Sequence, residues 1–204
     1  MKRVAIIQAR MGSTRLPGKV MKMLAGRPVL EHVVSRVQKC STLDEITVAS
    51  TLNPIDTSDC PLIDPVIADD IVKAFMERQP TLDYLSNTLA RTFPRGLDTE
   101  VFSFVALEKA WRSAVSPAER EHVTPYIYRH PDFFSVQNFS NSQDLSGYRW
   151  TLDTYEDWEL IRTIYDNLYY KDAFFSTDDV LELMCTQPEL LKLNAGVEQK
   201  ETGR

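Results

Sequence analysis

The chain has 204 residues, 43% of them hydrophobic, and a formal net charge of −6. This length allows one domain with a sizeable core, and the absence of a run of about 18 apolar residues argues against a membrane span. Only four apolar residues follow Lys2 and Arg3 before Gln8, which argues against a signal peptide. We expect a cytoplasmic protein with one domain over residues 1–195, a polar tail over 196–204 and no membrane partner. The three cysteines are far apart and lack C-x-x-C spacing, so they predict neither a disulfide framework nor a zinc site.

Positive charge is concentrated at the start of the chain. The first 27 residues contain seven Lys or Arg and no Asp or Glu, whereas the remainder contains 16 basic and 29 acidic residues. A locally cationic region on an acidic protein suits a small anion better than a nucleic acid, which needs a broad basic face. We therefore expect a small-molecule partner and no nucleic acid.

The first predicted strand, over residues 4–8, leads directly into a basic loop. Its continuous apolar run is typical of a strand buried on both faces. The loop contains two glycines, two hydroxyl side chains and three cations: Gly12, Gly18, Ser13, Thr14, Arg10, Arg15 and Lys19. Such turns present backbone N–H groups to anions, which predicts a polyphosphate site, although the spacing is not that of a P-loop. From charge alone, solvated turn residues are an equally good interpretation of Arg10 and Arg15.

Strand and helix patterns then alternate, which predicts an α/β domain with a largely parallel sheet. Helices are expected from Pro28, over 65–77, over 104–114 with Trp111 on the buried stripe, after the capping box Ser116–Glu119, and from Thr154. Strands are expected over 45–50, 82–86, 133–139 and 147–152, the last two as candidate antiparallel partners. The aromatic residues of 158–170 are predicted to lie in the core or in a subunit interface.

Two aspartates are placed to hold a divalent cation beside bound phosphates. Asp153 follows the predicted strand 147–152, at an edge where open α/β sheets bind ligands, and Asp59 lies in a proline-stiffened turn. Asp64 and Asp157 have the positions of helix caps. Taken alone, Asp59 and Asp153 are also more often turn or cap residues than ligands.

Read together, these segments resemble the cytidylyltransferase family that activates acidic sugars with CMP, specifically its SpsF-like branch, which is related to the acylneuraminate and CMP-Kdo synthetases. The resemblance runs from residue 4 to about 170 and rests on six segments: 7–19, 59–65, 84–87, 96–102, 119–126 and 149–154. It implies a Rossmann-like nucleotide-diphospho-sugar transferase fold, with three α/β/α layers and a mostly parallel sheet with antiparallel additions. A homodimer is also implied.

The resemblance also implies a division of labour among site residues. The base and triphosphate of CTP would be held by Ala9, Arg10, Gly12, Ser13, Arg15 and Lys19. Mg²⁺ would be bound by Asp59 and Asp153, and a small acidic sugar by Asp98, Glu100 and His122. A sugar hydroxyl would attack the α-phosphorus of CTP and release pyrophosphate, with Lys19, Arg15 and His122 in catalytic roles.

One departure from the family affects the centre of the fold. Only residues 51–58 connect the second predicted strand to Asp59, where the family has a further helix and strand, and Ser58 replaces a glycine. A βαβ unit needs about 30 residues, so the sequence predicts the absence of one central strand–helix unit. An active enzyme and a catalytically silent nucleotide-binding or scaffold relative are therefore both open. A uridylyl or guanylyl transferase of similar architecture is a third interpretation.

Overall fold

The computed structural model describes residues 2–9, 13–49, 60–116, 119–120 and 124–198. The strands are β1 Val4–Gln8, β2 Met23–Leu24, β3 Arg27–Pro28, β4 Glu45–Ala49, β5 Tyr84–Ser86, β6 Glu100–Phe102 and β7 Val136–Asn138. The α-helices are α1 Val29–Val37, α2 Pro65–Glu77, α3 Phe104–Ser113, α4 Pro125–Arg129, α5 Tyr155–Leu168 and α6 Thr177–Thr186. Two 3₁₀ helices cover Lys19–Met21 and Pro188–Lys192.

The chain divides into two compact units. One is built from the described residues of Met1–Asp69, Pro94–Leu97 and Leu145–Glu198, and the other from those of Asp70–Phe93 and Asp98–Asp144. Within the described ranges, no helix is both long and apolar enough to cross a membrane. Cys40, Cys60 and Cys185 are all free thiols, in agreement with the sequence.

In the first unit, β1 and β4 form a parallel pair with Val4 opposite Glu45 and Gln8 opposite Ala49. Helix α1 lies between them in the chain, which confirms the predicted βαβ unit. The prediction that β1 is buried on both faces is wrong, because Val4 is 43% and Ile6 54% exposed. Within the described part of the chain β4 is the one strand that pairs with β1, so these apolar side chains lack the cover that a central strand receives.

The segment before Asp153 also differs from its prediction. It forms an isolated parallel bridge between Arg95 and Arg149 instead of a strand antiparallel to residues 133–139. The Arg95 amide donates to the Tyr148 carbonyl at 3.0 Å, and the Trp150 amide donates to the Arg95 carbonyl at 2.7 Å. Residues 94–97 therefore fix the backbone that leads into the candidate site.

The core of the first unit surrounds α5. Trp150, Ile161 and Tyr165 are fully buried, and the Tyr165 hydroxyl donates to the Pro61 carbonyl at 2.8 Å. Trp158 is also buried whereas Tyr170 is 78% exposed, so the core prediction for residues 158–170 holds for the inward face of the helix. Burial of these aromatic residues is the main apolar contribution to the stability of the unit.

Helix caps connect elements of the first unit. Asp64 caps α2, as predicted, because its Oδ1 accepts the Val66 amide at 2.9 Å. Its Oδ2 accepts the amide and the hydroxyl of Thr177, at 2.9 and 2.7 Å. Thr177 begins α6, a helix that the sequence did not predict, so one carboxylate ties the starts of two helices together.

In the second unit, β5 lies between β6 and β7, antiparallel to β6 and parallel to β7. Its core contains Tyr84, Ala106, Ala110, Ile127 and Phe134. The prediction that Trp111 belongs to the buried stripe of α3 is wrong, because Trp111 is 66% exposed. The alanines of α3 face the sheet, and the small side chains allow a close approach.

Candidate active site

The centre of the candidate site is a buried ion pair between Lys19 and Asp153. Gly18 has a φ of 65°, in the left-handed region, and turns the loop into the 3₁₀ helix that carries Lys19. The Lys19 ammonium donates to Asp153 Oδ1 at 3.0 Å and to the Leu152 carbonyl at 2.9 Å. Both side chains are almost inaccessible, at 1% and 2% exposed, so water screens their attraction weakly.

Two arginines add positive charge around Asp153. Arg149 Nη2 donates to Asp153 Oδ2 at 3.1 Å, and Arg15 Nη2 lies 3.6 Å from the same oxygen. The side chain of Arg15 is 23% exposed whereas that of Arg149 is 9% exposed. Arg15 is therefore the cation of this cluster that an incoming anion reaches most directly.

The cap prediction for Asp157 is confirmed, because Thr154 and Asp157 form a capping box at the start of α5. Asp157 is fully buried and accepts both Nε and Nη2 of Arg149 at 2.9 Å. This bidentate pair holds the guanidinium in a fixed plane. Burial opposes the charge of Arg149, but the carboxylates of Asp157 and Asp153 outweigh that effect and raise its pKa.

The rest of the predicted phosphate loop is described in part. Ala9 is buried and its amide donates to the Ala49 carbonyl at 2.9 Å, so it lies at the carboxyl end of β1. Ser13 is buried and its hydroxyl accepts the Leu16 amide at 3.1 Å, which closes the turn before Lys19. Arg10 and Gly12 lie outside the described residues.

The predicted sugar-binding residues Asp98 and Glu100 belong to the second unit. Asp98 is held by Arg91, whose two Nη atoms donate to the two carboxylate oxygens at 2.6 and 3.0 Å. The side chain of Glu100 is accessible to solvent. Neighbouring protein atoms still remove part of its hydration, which raises its pKa, and the negative charge of Asp98 adds a smaller increase. The nearby Tyr84 hydroxyl is buried without a hydrogen-bond partner within the described residues. His122 lies outside these residues.

Comparisons with known proteins identify the family and the fold of the chain. A family model described as "Cytidylyltransferase" matches residues 4–57. An uncharacterized protein of Methanocaldococcus jannaschii is 31% identical over 98% of this chain and 97% of its own length. A solved structure of a cytidylyltransferase from Leptospira borgpetersenii has a TM-score of 0.85 and 28% identity, covering 98% of this chain and 100% of that chain. This chain belongs to the cytidylyltransferase family.

Two further relatives carry informative names. The spore coat polysaccharide biosynthesis protein SpsF of Bacillus subtilis is 28% identical over 78% of this chain and 85% of its own length. A 3-deoxy-manno-octulosonate cytidylyltransferase of Myxococcus xanthus is 49% identical, over 23% of this chain and 19% of its own length. The fold is the Rossmann-like nucleotidyltransferase fold of this family.

This chain is shorter than its relative from Methanocaldococcus jannaschii. Their alignment spans 245 positions whereas this chain has 204 residues, so the relative has residues without a counterpart here. Residues 50–59, including Asp59, lie outside the described residues.

A magnesium ion is the cofactor that the resemblance implies at Asp59 and Asp153. Magnesium prefers oxygen ligands and retained water. In the described ranges no three acidic, His or Cys side chains form a metal-binding group, and Asp153 contacts three cations. Because Asp59 lies outside the described residues, the predicted pair of magnesium ligands stays a prediction, and the described charge that would face a triphosphate comes from Lys19, Arg15 and Arg149.

Sequence reasoning missed the roles of two arginines in this chain. Arg149 lies in the segment that carried the resemblance, four residues before Asp153, and Arg91 lies seven residues before Asp98. Neither spacing distinguishes an ion pair from an exposed cation. Only the backbone path of the folded chain brings each guanidinium to its carboxylate.

Proposed function

We propose that this protein transfers CMP from CTP to a small acidic sugar with release of pyrophosphate, a step in the synthesis of polysaccharide precursors. The observation that carries the proposal is the cluster of Lys19, Arg15 and Arg149 around Asp153, at the end of the predicted phosphate loop. SpsF and the 3-deoxy-manno-octulosonate cytidylyltransferases among the relatives support the reaction class. The proposal includes a homodimer, as the resemblance implies, and the cytoplasmic location expected from the sequence.

In this mechanism the protein positions the two substrates and neutralises phosphate charge. Arg15 is accessible and forms the first contact with the triphosphate, through charge-assisted hydrogen bonds. Lys19 is buried and reaches a phosphate oxygen when its hydrogen bond to Asp153 is exchanged for one to the nucleotide. Fixed cations stabilise the charge that develops on the pyrophosphate leaving group, and they need no reorganisation during the reaction.

The acceptor sugar has a separate set of proposed contacts. The carboxylates of Asp98 and Glu100 accept hydrogen bonds from sugar hydroxyls, and Arg91 keeps Asp98 in place. His122 is proposed to take the proton of the attacking hydroxyl, because imidazole exchanges protons near neutral pH. In-line attack on the α-phosphorus then depends on how accurately the two substrates are held.

A catalytically silent nucleotide-binding protein is the second candidate. Two observations favour it: the chain lacks residues that its relative from Methanocaldococcus jannaschii has, and Asp153 is engaged by cations. Both candidates bind CTP, but the silent protein gives no turnover with any acidic sugar.

The test is a calorimetric titration of CTP, UTP and GTP, each with and without Mg²⁺, into the chain and into two variants. Lys19→Gln should weaken CTP binding by about tenfold or more, because its charge-assisted hydrogen bond to the triphosphate is lost. Asp153→Asn should weaken CTP binding as well, because Asp153 holds the three cations in place before the nucleotide arrives. Lys73→Gln removes an exposed lysine that pairs with Asp70 and serves as the matched control. Circular dichroism of each variant checks folding, since an unpaired buried charge is destabilising by about 3–5 kcal/mol.

Selective CTP binding that the two site variants weaken would support the proposal, and enhancement by Mg²⁺ would support the implied metal. Equal binding of CTP by the chain and by both variants would place the nucleotide elsewhere and reject the proposed site. Pyrophosphate release in the presence of CTP and a panel of acidic sugars then separates the enzyme from the silent protein.

A further inference from the structure

Asp157 makes more contacts than a helix cap requires. Its Oδ2 accepts the Thr154 amide at 3.1 Å, which is the capping bond, and also the Asp153 amide at 3.0 Å. The same carboxylate binds Arg149 through both of its oxygens. One buried side chain thus holds the backbone of Asp153 and also the guanidinium that contacts the Asp153 carboxylate.

Asn194 completes this arrangement from the far end of the chain. It follows the 3₁₀ helix Pro188–Lys192 and is 6% exposed. Its Nδ2 donates to Asp157 Oδ1 and to the Arg149 carbonyl, both at 2.9 Å. The amide group therefore fixes Asp157 from one side and the backbone of Arg149 from the other.

We propose that Asp157 and Asn194 are positioning residues, which set the geometry of the Lys19–Asp153 pair through Arg149. The effect expected on nucleotide binding rests on the proposed function, whereas the effect on the ion pair does not. Without Asp157, Arg149 loses its bidentate acceptor, and the Asp153 amide loses the hydrogen bond to Asp157. Binding sites tolerate displacements of only about 0.5 Å, so either change should be felt by a bound phosphate.

The chain contains its own control for a purely structural cap. Ser176 and Asp179 form the same capping box at the start of α6. Asp179 is exposed, and its Oδ2 accepts the amide and the hydroxyl of Ser176 at 2.6 and 2.7 Å. Asp179 thus makes the same helix cap as Asp157 but has no buried arginine to hold. A comparison of the two residues therefore distinguishes the loss of a helix cap from the loss of the Arg149 contact.

The first experiment compares Asp157→Asn with Asp179→Asn in a CTP titration. Asparagine keeps one carbonyl oxygen for the cap but loses the charge and one of the two acceptors of Arg149. We expect the Kd for CTP to rise about tenfold in Asp157→Asn and less than twofold in Asp179→Asn. Asn194→Ala keeps Asp157 and should give an intermediate rise of about threefold, which provides a second variant if Asp157→Asn fails to fold.

The second experiment uses the ligand-free chain and needs no nucleotide. The buried Lys19 ammonium should exchange its protons slowly with water and give an NMR signal that Lys19→Arg removes. We expect Asp157→Asn and Asn194→Ala to broaden or shift this signal and Asp179→Asn to leave it unchanged. A chain that does not bind CTP but shows these NMR changes would reject the proposed function and retain the positioning role.

The opposite outcome rejects the inference. If Asp157→Asn and Asn194→Ala bind CTP as tightly as the unmodified chain and leave the Lys19 signal unchanged, Asp157 is only a helix cap. The proposed function would survive that result, because the Lys19–Asp153 pair would still be intact.

Discussion

Gly96 offers the sharpest test of how the backbone supports the candidate site. It has a φ of 103°, which L side chains rarely adopt, and a Cβ there would lie 2.5 Å from both the carbonyl carbon and oxygen of Trp150 and 2.7 Å from the Thr151 nitrogen. All three atoms belong to the backbone and cannot rotate away. The strained φ costs about 1–3 kcal/mol and the overpacking about 1–3 kcal/mol more. Gly96→Ala should thus destabilise the chain by about 2–6 kcal/mol, a large part of a typical domain stability of about 5–15 kcal/mol.

Urea unfolding followed by circular dichroism measures this effect as a shift in the denaturation midpoint. Gly147→Ala is the control, because a Cβ at Gly147 meets nothing within 4 Å, and its stability should change by less than about 0.5 kcal/mol. A free energy of unfolding for Gly96→Ala within about 1 kcal/mol of that of the unmodified chain would contradict the close approach of residues 96 and 150. CTP binding should weaken as well, because the displaced segment leads directly to Asp153.

Three further predictions concern titratable groups. Partial desolvation raises the pKa of Glu100, so its carboxylate costs stability as the pH rises above the ordinary value of about 4.5; Glu100→Gln should increase the free energy of unfolding in urea at pH 8 but not at pH 4, by less than about 1 kcal/mol because water reaches the group. Burial lowers the pKa of His32, so its contribution is present above a pH of about 6.5 and lost on acidification; His32→Gln, which can still donate to the Leu24 carbonyl, should flatten the fall in melting temperature from pH 7 to 5. Burial raises the pKa of Cys40 to about 11, so a thiol reagent at pH 7.5 should label the exposed Cys185 in the folded chain and spare Cys40, as read by peptide mass spectrometry.

Local sequence signals predicted local structure well. The bounds of α2, Pro65–Glu77, match the prediction, and the caps at Asp64 and Thr154 are where the sequence placed them. Caps and apolar periodicity depend on residues a few positions apart, so both can be read without knowledge of the fold. The exposed Trp111 shows the limit, because periodicity alone does not reveal which side of a helix another element will cover.

Long-range pairing could not be predicted in the same way. The bridge between Arg95 and Arg149 and the parallel pairing of β5 with β7 join segments separated by about 50 residues, and no pattern within either segment specifies its partner. In the candidate site, the resemblance brought Lys19 together with Asp153. It did not indicate the contacts that Arg149 and Asn194 make, because these contacts form only when distant parts of the chain pack together.

These contacts between early and late residues have a consequence for the folding of the chain during its synthesis on the ribosome. Lys19 pairs with Asp153, which is synthesised 134 residues later. The buried Arg36 donates to the Phe175 carbonyl, which is synthesised 139 residues later. At a ribosomal rate of about 5–20 residues per second, Lys19 is synthesised about 7–27 s before Asp153. During that interval the nascent chain has not yet formed the Lys19–Asp153 pair, and the apolar faces of the first βαβ unit are exposed to water and to other proteins. The nascent chain should therefore be a better chaperone substrate than the finished one, and a ribosome stalled before residue 153 should hold it in that state.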